Sequence, residues 1–184
     1  MLRARILLFC RMAIFTVFLR AINVGGTGKL PMADLKTICH ELGFEKVTTY
    51  IQSGNVVIEA DQNPSEIKEK LETKLCKYLG KPIGVMVRTA AELEAILKNN
   101  PFNDKPPNRV IVILLDAMPS NPLENIKHQK DEIIAIGKRE IYVHYGEGMG
   151  SSKLIIPAAK IGTGRNINTM SKMLDLATNM ETQK

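Results

Sequence analysis

The sequence predicts an α+β protein: a ferredoxin-like βαββαβ first half followed by a smaller α+β second half. Three observations carry this. Apolar runs with strand and helix periodicity alternate in that order through residue 87. Three prolines, Pro101, Pro106 and Pro107, cluster in residues 99–108. Strand patterning resumes at Arg109 beyond them. The organisation expected is therefore a subdomain over 12–98, a linker over 99–108 and a second subdomain over 109–179.

Each element has a local reason. Residues 14–19 are β-branched and aromatic and read as a buried strand. Leu35, Ile38, Cys39 and Leu42 recur at helical spacing, and Gly43 follows as a stop. Residues 47–51 alternate as a strand, 52–55 form a turn, and Val56, Val57 and Ile58 return as a third strand. Asn63-Pro64 opens a second helix with Ile67, Leu71, Leu75 and Leu79 on one face, closed by Gly80. Residues 83–87 make a fourth strand and 89–98 a short helix. Beyond the linker, 109–115 is the strongest strand pattern in the chain. A helix is predicted over 122–136, an alternating strand over 139–145, and a last helix through Leu176, with 180–184 a frayed tail. Right-handed crossovers place the first strand between the third and fourth. The exit of the first strand then lies beside the turn at 52–55.

Composition narrows the function classes. At 184 residues with 45% hydrophobic content, the chain has material for a core, and disorder is excluded. The net charge is +6, but Arg3, Arg5 and Arg11 supply half of it, and the remainder balances 22 basic residues against 19 acidic. That is less concentrated than a nucleic-acid-binding face requires. Cys10, Cys39 and Cys76 are odd in number and widely spaced, the pattern of reduced thiols in the cytoplasm. His40, His128 and His144 have no metal-ligand spacing, so neither a metal nor another cofactor is expected. Arg11 interrupts the apolar run at 6–10, which is too short for a signal peptide or a membrane span. Residues 1–11 read as an extension outside the domain, and no membrane contact is expected.

Three glycine-rich polar turns are where chemistry would be placed. The first, Arg20-Ala21-Ile22-Asn23-Val24-Gly25-Gly26-Thr27-Gly28-Lys29, joins a strand to a helix and exposes backbone N–H groups suited to an anion. It is not a Walker A loop: Asn23 stands at the leading glycine position, and Leu30 replaces the hydroxyl that would ligate Mg²⁺. One such loop holds phosphate only at about millimolar strength, so further donors are needed. Gly148-Met149-Gly150-Ser151-Ser152-Lys153 and Thr163-Gly164-Arg165-Asn166 are the candidate suppliers, each with small residues, hydroxyls or amides, and one cation at a helix start. The candidate ligand-binding residues are Arg20, Asn23, Gly25, Gly26, Lys29, Ser53, Asn55, Ser152, Lys153, Arg165 and Asn166. A purely structural reading stands beside this one, with the glycines serving turn geometry and Ser151, Ser152 and Asn166 serving as helix caps.

Five motifs together resemble one bacterial family, the domain of unknown function 1697. They are Phe18 to Gly26, Thr49-Tyr50-Ile51-Gln52-Ser53-Gly54-Asn55-Val56, Asn100-Pro101-Phe102, Gly148 to Leu154, and Thr163 to Thr169. The resemblance spans about 13–177 and implies a cytosolic protein with a ferredoxin-like first half. It implies no activity, substrate or catalytic residue. Three function classes therefore remain. The leading one is a site for a small phosphorylated or carboxylated ligand between the halves. The second is RNA or DNA binding, weakened because the third strand offers no aromatic for base stacking. The third is an enzyme of unassigned reaction, for which Ser53, His144, Glu140 and Glu147 are available but unplaced. A homo-oligomer through an exposed sheet edge is compatible with each.

Overall fold

The computed structural model describes residues 12–23 and 29–183. Residues 1–11, which the sequence assigns to an extension, and 24–28 lie outside the described residues. The elements run β1 (Ala13–Leu19), α1 (Met32–Glu41), β2 (Glu45–Tyr50), β3 (Asn55–Ala60), α2 (Pro64–Leu79), β4 (Val85–Thr89) and α3 (Ala90–Lys98). They continue β5 (Val110–Leu114), β6 (Ile133–Ile136), β7 (Glu140–His144), a 3₁₀ turn (Pro157–Ile161), β8 (Thr163–Asn166) and α4 (Ile167–Thr182). The first four strands form an antiparallel sheet in the order β2-β3-β1-β4, the ferredoxin-like arrangement. The last four form a second antiparallel sheet in the order β6-β7-β5-β8.

Strong local signals start and stop the helices. Asn63 caps α2 by accepting from Ser65 and Glu66 N–H while Glu66 returns a bond to the Asn63 N–H, and Gly80 closes the helix at φ 69°. Thr89 and Glu92 repeat the reciprocal box at α3. Asn166 caps α4 through the Thr169 N–H.

The core is layered. Helices α1 and α2 cover one face of the first sheet with Leu35, Ile38, Ile67, Leu71 and Leu75. Its opposite face, Ile14, Phe18, Val57 and Met86, packs on α3, α4 and the near face of the second sheet in one continuous cluster. Loops carrying Met118, Leu123, Ile126 and Leu154 cover the far face of the second sheet. Both faces of the first sheet are therefore buried.

Two expectations need correction. No helix forms over 122–136. Asn125 and His128 adopt left-handed φ of 58°, the Gln129 side chain donates to the Glu132 carbonyl, and 133–136 pairs with β7 instead. The β-branched Ile133, Ile134 and Ile136 favour that outcome, and the strand partner decides it. The last helix also does not end at Leu176. Met173, Ala177 and Met180 continue its buried stripe, so α4 reaches Thr182.

Candidate functional site

The main convergence of singled-out residues is at the exit of β1. Leu19 N–H donates to the Gly54 carbonyl and Arg20 N–H to the Gly84 carbonyl, both at 2.8 Å, which ties the strand end to the β2–β3 turn and the approach to β4. Ala21 and Asn23 then take left-handed φ of 50° and 55°, and between them Ile22 turns inward to 2% exposure beneath Gly54. The Asn23 amide works as a clamp. Its nitrogen donates to the Gln52 carbonyl at 2.7 Å and the Leu30 carbonyl at 3.0 Å, and its oxygen accepts the Leu30 N–H at 2.8 Å. The neighbouring positions of 19–23 and 52–55 thus follow from strand order, as the sequence predicts.

Arg165 joins the second sheet to this corner. A guanidinium has five N–H donors, and here five acceptors engage it. Nε donates to Asn55 Oδ1 at 2.5 Å. One terminal nitrogen donates to Thr163 Oγ1 and the Gly164 carbonyl, both at 2.8 Å. The other donates to the Leu19 carbonyl at 2.8 Å and the Ser53 carbonyl at 2.6 Å. The cation also lies 5.9 Å from the Phe18 ring centre. All five acceptors are neutral. Burial without a carboxylate pulls the Arg165 pKa down to about 10, so the group is charged at neutral pH.

Asn55 is fully buried and spends its amide nitrogen on the Tyr50 carbonyl and Ser53 Oγ. Asn23, Asn55, Arg165 and the capping Asn166 are thus committed to holding the corner, not to reaching out of it. Outward-facing donors remain: Arg20, which gives one N–H to the Lys160 carbonyl, and Lys29 beside the Asn23 clamp. Among the described residues, neither forms an ion pair. Helix α1 opens two residues beyond Leu30, and its Pro31 cap position supplies no side-chain bond to the first-turn N–H groups.

The structure does not bring the 148–153 turn to this corner. Ser152 Oγ donates to Glu132 and accepts from the Leu154 N–H, beside the start of β6. Strands β6 and β8 are opposite edges of their sheet, about 14 Å apart at ordinary strand spacing. Ser152 and the exposed Lys153 therefore leave the composite site. No helix starts there either; the chain enters a bridge between Lys127 and Ile155 and then the 3₁₀ turn. Gly25 and Gly26 lie outside the described residues. Ser53 and His144 occupy different sheets, with His144 facing Phe102 at 6.1 Å.

The model of a family described only as a protein of unknown function, DUF1697, matches residues 12–142. This chain belongs to the DUF1697 family. A solved structure it is similar to is that of the conserved bacterial protein SP0830 from Streptococcus pneumoniae, 25% identical, with a TM-score of 0.73 over 91% of this chain and 99% of that one. No curated protein matches the chain. Among the described residues, no helix is long and apolar enough to cross a membrane, and no cluster of His, Cys, Asp or Glu could hold a metal ion.

The sequence reading overlooked a second polar cluster in this DUF1697 chain. Arg88 is 1% exposed and donates to the Val87 and Leu115 carbonyls. It lines a cleft of about 370 Å³ with Lys68, Glu72, Asp116 and Arg139. Lys68 bonds Glu72 and Asp116, and Arg139 pairs with Glu92. Backbone carbonyls satisfy Arg88 and the other charges pair among themselves or with Glu92, which is the pattern of a structural seam. A lone arginine in a strand pattern was the sequence signal for it.

Proposed function

We propose that this protein binds a small anionic ligand, bearing phosphate or carboxylate groups, at the exit of β1. One observation carries the reading. The described segments meeting there, 19–23, 29–31, 51–55, 80–85 and 157–166, contain Arg20, Lys29, Lys81, Lys160 and Arg165 and no Asp or Glu. The Arg165 charge has only neutral acceptors, so its field is left for an anion to neutralise.

Magnitudes set the ligand class. Each charge-assisted bond from Arg20 or Lys29 contributes about 1.5–3 kcal/mol, and immobilising a ligand costs about 4 kcal/mol or more. A single phosphate is then held at millimolar strength or weaker. A ligand with two or more anionic groups, such as a diphosphate or a nucleotide, meets the requirement.

Thermal unfolding with pyrophosphate, a nucleoside triphosphate and citrate, each against sodium chloride of equal ionic strength, tests the reading. At 100 times Kd, a site stabilises the fold by about 2.7 kcal/mol, a shift of roughly 5–10 °C for a chain of this size. Arg20→Ala with Lys29→Ala abolishes the shift. No shift beyond the salt control from any of the three would sink the proposal.

Nucleic acid is the weaker reading, since both faces of the first sheet are buried and offer no platform for stacked bases. The free Cys39 and Cys76 support a cytoplasmic location.

A further inference from the structure

Beside the exit of β1 lies a groove of about 630 Å³ that the proposed anion site does not use. Helix α2 lines it with Thr73, Cys76 and Lys77, and the segment entering β4 lines it with Pro82, Ile83 and Gly84. A volume of this order is ordinary for a small-molecule site. Glu72 also lines the groove, but its charge is already met. Its Oε1 accepts from Lys68 at 2.6 Å and from the Val85 N–H at 3.0 Å. Among the described residues, Lys77 forms no ion pair.

Gly84 links this groove to the proposed anion site. Its carbonyl accepts the Arg20 N–H at 2.8 Å. A Cβ at position 84 would lie 3.5 Å from Arg20 Cβ and 3.6 Å from Arg20 Cδ. The Arg20 stem therefore crosses the bare face of Gly84, and its guanidinium reaches on to the Lys160 carbonyl. Neither left-handed strain nor crowding requires glycine here. The Gly84 φ is outside the left-handed region, and a Cβ would make only ordinary van der Waals contact with Arg20. The missing side chain leaves the groove open to Arg20.

We propose that this groove holds the nucleoside of a nucleoside di- or triphosphate whose phosphates are bound at Arg20. The inference rests on the anion site proposed above and names the class of its ligand. Because the groove is contiguous with Arg20, one molecule reaches both. The lining mixes apolar atoms of Cys76, Pro82 and Ile83 with the polar groups of Thr73, Glu72 and Lys77. A flat base and a sugar, apolar on their faces and polar at their edges, can bond those groups. An alkyl chain would cover them without bonding them, at a cost. Residues 72 to 77 cover about 7.5 Å of helix, the scale of a nucleoside and not of a bare phosphate.

Cys76, a free and half-buried thiol, is a reporter inside the groove. Its alkylation by N-ethylmaleimide, read by peptide mass spectrometry, is followed with inorganic triphosphate, each of the four ribonucleoside triphosphates and octyl phosphate at equal ionic strength. Calorimetry gives the affinity of each. At least one nucleoside triphosphate should bind about tenfold or more tighter than inorganic triphosphate, the gain expected from covering roughly 60 Å² of apolar surface. That nucleotide should slow Cys76 alkylation several-fold at saturation, and inorganic triphosphate should leave it unchanged. Gly84→Val should bring the two affinities together; if this variant does not fold, protection of Cys76 decides alone. Inorganic triphosphate binding as tightly as every nucleotide, with Cys76 unprotected, overturns the proposal and leaves the anion site standing. So does a folded Gly84→Val that keeps the full nucleotide preference, or protection by octyl phosphate and by no nucleotide. Binding by none of the compounds removes the anion site itself, and this proposal with it.

Discussion

Arg165 carries a positive charge into the interior and spends every donor on a neutral oxygen drawn from β1, the β2–β3 turn and its own strand. Removing it strands the Ser53 carbonyl and Asn55 Oδ1 and leaves the Leu19 carbonyl with Thr163 Oγ1 alone. Unpaired buried acceptors cost about 1–3 kcal/mol each, so Arg165→Ala should destabilise the fold by about 3 kcal/mol or more in urea unfolding. Arg165→Lys keeps the charge but loses the planar fork and should recover less than half of that loss; full recovery would show that charge alone matters. Cys39 offers a second test at this scale. It is fully buried, and desolvation pushes its thiol up to about 12. The native protein should leave Cys39 unlabelled by a thiolate-directed reagent at pH 9, as read by peptide mass spectrometry, while urea exposes it. Because its folded pKa is raised, the unfolded thiol loses its proton first, and this contribution to stability declines as pH rises from about 9 toward 12. The sequence made part of the site legible. Asn23, Ser53 and Asn55 were identifiable because strand order brings their turns together. The role of Arg165 was not, because its five acceptors come from three separate segments and four of them are backbone or hydroxyl oxygens that no residue pattern announces.

At the scale of elements, the β2–β3 turn depends on Gly54. At φ 72°, a Cβ there would meet Ile22 Cδ1 and lie 2.8 Å from Leu19 Cβ. Gly54→Ala combines left-handed strain of about 1–3 kcal/mol with overpacking of similar size. It should lower stability by about 3 kcal/mol and shift the amide resonances of Leu19 to Asn23 as the β1 exit is displaced. A variant within about 0.5 kcal/mol of wild type would mean that the turn is not under the packing constraint described. The same comparison explains which elements could be read from sequence. Asn63, Thr89 and Gly80 act through bonds within a few residues, so α2 and α3 were visible locally. The segment 133–136 is a short apolar run whose β-branched residues lean toward a strand, and pairing with β7, set by the turn at 137–139, decides it.

For the molecule as a whole, the decisive fact is that one apolar cluster spans both halves. Ile14, Phe18, Val57 and Met86 from the first sheet share it with Val110, Val112, Leu114 and Tyr142 from the second, and α4 inserts Met170, Met173 and Ala177 between them. Helix α4 lies last in the chain yet packs against β1 and β3 as well as against α3. If the halves were independent, each would retain its own core when α4 is weakened. Since they share one, Met173→Ala, which truncates a fully buried side chain, should cost about 2–5 kcal/mol and lower the protection of both sheets together. Native-state hydrogen exchange reads this directly. The slowest amides of β1 and β5 should lose protection by the same free energy, and thermal unfolding should remain a single transition. A variant in which β5 loses protection while β1 keeps it would show instead that the two halves are separable folding units and that the chain from 99 to 108 joins them loosely.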